Sequence, residues 1–139
     1  MSKDMKVYKC RKIVRGRACG EALVSTDAMC FYLTDPEAGT VIERNHAIHG
    51  KSIAKKILVL KSGKGSSVVQ VDAFYQLWCK SNLPAAIIIK DAEPVIVSSA
   101  VMVGCTMVDQ MEVDPYEAIE DGDYVEVDAD KGEITVTKA

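Results

Sequence analysis

No two of the five cysteines, Cys10, Cys19, Cys30, Cys79 and Cys105, stand close enough to form a Cys-x-x-Cys pair. That lack argues against a zinc knuckle, and the odd count argues against a secreted disulfide framework. The local cysteine spacing that holds an iron–sulfur cluster is missing too, so reduced, mostly packed cysteines are expected. Basic charge is also in short supply. Seventeen lysines and arginines against 20 acidic residues leave a formal net charge of −3, which gives no basis for a nucleic-acid role. Long apolar runs are lacking: residues 84–89 and 94–104 are too short or too interrupted to cross a bilayer, and residues 1–12 hold no apolar leader core. There is no internal repeat, linker or low-complexity segment. What remains is one soluble, cytoplasmic domain over residues 1–139, long enough to bury its own core.

Along the chain, residues 6–14 predict a first strand and 21–25 a second. Asp35-Pro36-Glu37-Ala38-Gly39-Thr40 is turn chemistry, because proline fixes φ and glycine permits positive φ. A short strand at 41–43 follows, then a polar, irregular stretch over 45–52. The middle changes character. Residues 56–60, KILVL, read as a strand covered on both faces. A tight loop over 62–67 leads into helical spacing at Val68, Val71, Phe74, Tyr75 and Trp78, a helix over 67–80 whose aromatics are expected in the core and not as a stacking platform. A second buried strand at 83–89, a helix from Pro94 and a third strand at 106–108 complete a strand–helix alternation that predicts a parallel sheet. Past a short helix at 115–119, residues 124–127 and 133–137 alternate apolar and polar about Asp130-Lys131-Gly132, a hairpin. The fold class expected is α/β: a swivelling β/β/α domain, with a central, mostly parallel sheet flanked by helices and an outer β part.

The chemistry concentrates in Ser62-Gly63-Lys64-Gly65-Ser66-Ser67, between a buried strand and a helix. Glycines there present bare N–H groups at a helix N-terminus, which attracts anions. Lys64 adds a charge, and Ser66 and Ser67 add hydroxyls. The nucleotide-binding P-loop needs lysine directly before the hydroxyl residue; here Gly65 intervenes, and the four-residue spacing from an earlier glycine is absent, so nucleotide binding is rejected. From the spacing alone, a plain capped helix with Ser66 as N-cap is the favoured reading, although capping does not by itself call for two glycines flanking a lysine. His46 and His49 lie in a loop without nearby carboxylate ligands, which favours a turn or interface role over a metal site.

Several blocks then stand in one order: Gly16-Arg17-Ala18 with Gly20-Glu21-Ala22-Leu23-Val24-Ser25, Asp35-Pro36-Glu37 with Gly39, His49-Gly50-Lys51-Ser52-Ile53-Ala54, Gly63-Lys64-Gly65-Ser66-Ser67, Pro84-Ala85-Ala86-Ile87-Ile88 and Ala92-Glu93-Pro94. In these blocks the chain resembles, over nearly its full length, the aconitase X swivel domain family. The resemblance implies a hydro-lyase subunit, active only as a heterodimer or fused chain with a large part. That large part holds a [4Fe-4S] cluster on its own cysteines, and this chain binds no metal. The small part supplies the serine of its loop as proton acceptor, by position Ser66. In the wider superfamily an arginine after the two serines binds substrate carboxylate; Val68 stands in its place here.

The substrate-contacting residues expected are Lys64, Gly65, Ser67 and Arg17, acting on a small anionic substrate. Arg15 and Arg17 flank Gly16 in a matching block; a solvated pair at a strand end is the other explanation. The resemblance implies dehydration of (R)-5-phosphomevalonate to trans-anhydromevalonate 5-phosphate in isoprenoid biosynthesis. Dehydration of cis-3-hydroxy-L-proline is a second possibility within the family. Arg15, Arg17, Lys51 and Lys64 favour the phosphorylated substrate. A non-catalytic anion-binding or partner-docking module stays open as a third.

Overall fold

The computed structural model describes residues 5–64 and 66–139, apart from the side chain of Ser67. Ten strands and three α-helices follow in chain order: β1 (Met5–Lys9), β2 (Arg11–Val14), β3 (Arg17–Val24), β4 (Thr34–Asp35), β5 (Thr40–Val41), β6 (Ile57–Leu60), α1 (Ser67–Cys79), β7 (Ala86–Ile89), α2 (Pro94–Val103), β8 (Met107–Asp109), α3 (Pro115–Ala118), β9 (Tyr124–Asp128) and β10 (Glu133–Thr137). A 3₁₀ turn occupies Phe31–Leu33. Eight strands form one sheet in the order β1-β10-β9-β3-β6-β7-β8-β2, and β4 pairs with β5 around the turn read from the sequence.

The single first strand expected over 6–14 is two strands. At Cys10, whose N–H donates to Gly132 O, the chain leaves its pairing with β10 and takes up pairing with β8. The edge strands β1 and β2 are therefore consecutive in sequence, and the sheet curls until its two edges meet at Cys10. The second strand extends back to Arg17 because β3 serves two partners. Its first part pairs antiparallel with β9, and Ala22, Leu23 and Val24 pair parallel with β6.

The parallel segment is β3-β6-β7-β8, about half the sheet; the rest is antiparallel. All four residues of β6 and of β7 are buried, as a strand covered on both faces requires. Leu58, Leu60, Ile87 and Ile89 pack with Phe74, Leu77 and Ile96 of α1 and α2. Ile57, Val59 and Ile88 face the other way, into a second core with Val125, Val127 and Ile134 of the antiparallel strands. The helices α1 and α2 thus cover one face of the parallel segment, and the antiparallel strands cover the other.

Helix α1 corrects one expectation. Its buried stripe is Gln70, Ala73, Phe74 and Leu77, whereas Val68, Tyr75 and Trp78 are exposed. Two apolar stripes run side by side at helical spacing, and periodicity alone does not say which one meets the sheet. The Phe74 ring lies 4.4 Å from that of Phe31. Phe74→Ala is expected to lower the unfolding free energy by about 3–5 kcal/mol, measured by denaturant melts. Trp78→Ala, on the exposed stripe, should cost a small fraction of that in the isolated chain.

Candidate functional site

The parallel strands deliver their C-terminal ends to one edge, the place where open α/β sheets bind ligands. The loop after β6 leaves at that edge and is tied down from below. Met29 N donates to Ser62 O at 2.9 Å, and Lys64 N donates to Met29 O at 3.0 Å. Met29 is fully buried, and so is Gln70 in the first half of α1. Gln70 Oε1 accepts from Phe31 N at 2.8 Å, while its Nε2 donates to Met29 O at 3.4 Å. The 29–31 segment is therefore clamped between the serine loop and the helix that follows it. A glutamine among the apolar residues of a helix is the sequence signal for this clamp, and it went unread.

His46 supports the same segment. Its Nε2 lies 3.0 Å from Ala28 O, and its Nδ1 accepts from Ile48 N at 3.3 Å. Both ring nitrogens are used in the turn, which is the loop role and not the metal role. His49 Nδ1 sits 2.8 Å from Glu43 O, again a turn contact.

Gly63 is required for close approach. A Cβ on it would stand 2.9 Å from Glu93 Oε1 and 2.9 Å from Ile96 Cβ. Glu93 caps α2, accepting from Val95 N at Oε2 and from Ile96 N at Oε1, both at 2.8 Å. The serine loop is thereby pressed against the start of α2. Gly63→Ala is expected to push the loop off that helix, costing about 1–3 kcal/mol of stability. It should also lower activity more than it lowers the melting temperature would suggest, as paired thermal melts and turnover assays would show.

Ser66 stands at the N-cap of α1 with extended backbone, and its exposed Oγ accepts from Val69 N at 3.4 Å. The positive end of a 13-residue helix points at this oxygen. Gly65 and the Ser67 side chain, both expected to touch substrate, lie outside the described residues. Lys64 does reach the site, but in a pairing that spacing did not reveal. Its Nζ donates to Glu43 Oε2 at 2.5 Å. The Glu43 side chain is only 17% exposed, and its Oε1 is buried with no hydrogen-bond partner among the described residues. The cation beside the serine is therefore partly offset by a carboxylate from the irregular 42–52 stretch.

Arg15 and Arg17 do not join this site. Arg17 begins β3, whose other end is the site edge, about 20 Å of extended strand away. Its guanidinium is bound to Glu126 at 3.0 and 2.5 Å on the antiparallel part. Arg17, expected from the sequence to touch substrate, is thus paired at the end of β3 opposite to the serine loop. Arg15 is likewise remote, its carbonyl accepting from the Thr106 hydroxyl just before β8 begins. Lys51 faces Asp121 at 3.8 Å. The edge instead gains Lys90, which follows β7 and lies 3.4 Å from Asp114 and 5.6 Å from the centre of the Tyr116 ring. Tyr116 OH donates to Ser25 O at 2.6 Å. Burial first, then Asp114, Asp91 and Asp27, push its phenol up to about 12, so it stays a donor.

Among the described residues, no three His, Cys, Asp or Glu side chains converge to hold a metal. The Cys105 thiol is pushed up to about 12 by burial. That of Cys10 is pushed up to about 11 by burial, with Asp109, Asp128 and Glu133 adding to it. Thiols held protonated in this way are poor metal ligands. The residues present do not fit an iron–sulfur cluster, so no step of the chemistry can be assigned to a cluster on this chain.

The arrangement is an exposed hydroxyl at a helix start, buttressed from beneath and open above. The model of the aconitase X swivel domain matches residues 7–136. The phosphomevalonate dehydratase small subunit of Methanocella arvoryzae is 44% identical over 130 residues, covering 93% of this chain and 98% of the relative. The protein of the same name from Methanothermobacter thermautotrophicus is 44% identical over 126 residues, 90% and 95% of the two chains. The crystal structure of Thermococcus kodakaraensis aconitase X in its holo-form superposes with a TM-score of 0.85 at 39% identity, covering 94% of this chain and 98% of that one. With the serine loop set at the sheet edge and the likeness running end to end, the chain belongs to the aconitase X swivel domain family.

Proposed function

We propose that this chain is the small subunit of a phosphomevalonate dehydratase, supplying Ser66 as the base that takes a proton from (R)-5-phosphomevalonate. The observation that carries the reading is the Ser66 hydroxyl, exposed at the start of α1 in a chain alike over nine-tenths of its length to small subunits of that name. In the step, the Ser66 oxygen, ionised, takes a proton from the carbon beside the carboxylate. The C–H electron pair becomes the new double bond, and the hydroxyl on the neighbouring carbon leaves, giving trans-anhydromevalonate 5-phosphate and, overall, water. Departure of that hydroxyl falls to groups outside this chain. We assign them, together with a [4Fe-4S] cluster, to the large subunit, in a cytoplasmic heterodimer.

Magnitudes support this division. A serine hydroxyl ionises far above neutral pH, and each unit of lowering requires about 1.4 kcal/mol. The helix end contributes about 0.3–2 kcal/mol, and a hydrogen bond to a charged oxygen about 1.5–3 kcal/mol. Lys64 adds less than a free cation would, because Glu43 shares its charge. These terms lower the ionisation by only a few units, so the rest must come from the closed complex, where water is excluded.

The support for a phosphorylated substrate has narrowed. Of Arg15, Arg17, Lys51 and Lys64, Lys64 lies in the loop, while Lys51 pairs with Asp121, which accepts from Val24 N at the end of β3; Lys90 follows β7 at the same edge. The relatives and these lysines favour the phosphorylated substrate. The isolated chain is expected to show no turnover of phosphomevalonate, whereas the complex co-purified anaerobically with its large subunit dehydrates it. Turnover of cis-3-hydroxy-L-proline instead would keep the base and overturn the substrate.

A further inference from the structure

We propose that the outer face of α1 and α2 is the seat of the large subunit, an inference that rests on the reading of the chain as one half of a heterodimer. The face is apolar to a degree that water does not explain. Val68 is 77% exposed, Met102 69%, Val101 56%, Trp78 54% and Tyr75 52%. The two helices carry one charged side chain between them, Asp72, in a protein with 37 charged residues. The Tyr75 and Trp78 rings lie 6.0 Å apart, and a shallow groove lined by Val68, Val71, Asp72, Tyr75 and Met102 runs beside them. Large exposed apolar patches mark interaction sites, and tryptophan and tyrosine are the residues on which such interfaces turn.

The occupant follows from where the patch begins. Val68 is two residues past Ser66 on the same helix. On the other flank of the loop, exposed Ile42 adjoins Glu43, the partner of Lys64. Exposed apolar side chains, Val68 and Ile42, thus adjoin in sequence the serine and the Lys64–Glu43 pair. The chain that brings the remaining reacting groups to Ser66 must come down beside Val68, and the exposed apolar side chains of the same helix, Tyr75 and Trp78, follow within about three turns. A second copy of this chain seated on the same face would lie over Val68 and obstruct the serine, which selects the large subunit.

The test uses the small subunit with its large subunit, comparing wild type with Trp78→Glu and Met102→Glu. Tyr124→Glu, exposed on β9, serves as the control. Both helix variants should keep the wild-type melting temperature as isolated chains and raise the dissociation constant for the large subunit at least 30-fold. Their kcat at saturating small subunit should stay within threefold of wild type, and the control should bind normally. Dissociation constants within threefold of wild type for both variants overturn the proposal. So does a wild-type small subunit that self-associates through this face, with Trp78→Glu turning dimer to monomer in sedimentation. A wild-type complex that forms yet leaves phosphomevalonate unreacted removes the substrate reading and leaves the docking face standing. A wild-type chain that forms no complex removes both.

Discussion

Ser66→Ala should lower the kcat of the assembled complex by about 10²–10⁴-fold, the range that a positioned general base contributes, while the complex still forms. Alanine also removes the N-cap hydrogen bond to Val69 N. That loss costs about 0.5–2 kcal/mol of stability, so a drop in activity alone does not separate base from cap. Ser66→Asn separates them. Asparagine caps a helix as well as serine does, yet its amide cannot hold and release a proton as an alkoxide does. If the serine were only a cap, the asparagine variant would turn over at close to the wild-type rate. If it is the base, the asparagine variant should be as inactive as the alanine one, with the melting temperature near wild type.

The second large effect is expected at Lys64. Lys64→Met should lower kcat/KM for the phosphorylated substrate by about 10- to 150-fold, the equivalent of one hydrogen bond to a charged group. It also leaves the mostly buried Glu43 without the cation that its Oε2 is paired with. Removing one member of such a pair is worse than removing both. The double variant Lys64→Met/Glu43→Gln should therefore recover at least half of the stability lost in Lys64→Met, and chemical denaturation of the isolated chains reads this directly. Additive losses would show that Glu43 and Lys64 do not act as a pair. The catalytic loss should persist in the double variant, because the cation is still gone from the serine loop.

How much of this was legible beforehand depended on whether the signal was local. The strands β6 and β7, the starts of α1 and α2, and the β9–β10 hairpin could be read because each rests on contiguous chemistry: unbroken apolar runs, Pro94 at a helix start, and a turn whose Gly132 takes positive φ. The split of the first strand at Cys10 could not be read. It is set by a bond to Gly132 O and by the curl of a sheet whose edges meet there, both long-range facts. The same holds for the site. Ser66 and Lys64 stood out because the loop is one continuous segment. Glu43 and Gln70 did not, since their importance comes from where the 29–31 and 42–52 segments fold back on that loop. The place of Arg17 was illegible for the converse reason: a matching block of residues does not say which end of its strand it occupies. The exposed aromatics of α1 looked like core because helical spacing of apolar residues reads the same whether the stripe is buried or exposed.

The most direct test of the account is a single assay. The small subunit, wild type or Ser66→Asn, is assembled anaerobically with its large subunit and given (R)-5-phosphomevalonate, and loss of water is followed by mass spectrometry. Rapid dehydration by the wild-type complex, with none by an intact asparagine complex of equal stability, is the result expected. Equal dehydration by both complexes would contradict it and return Ser66 to the role of a helix cap.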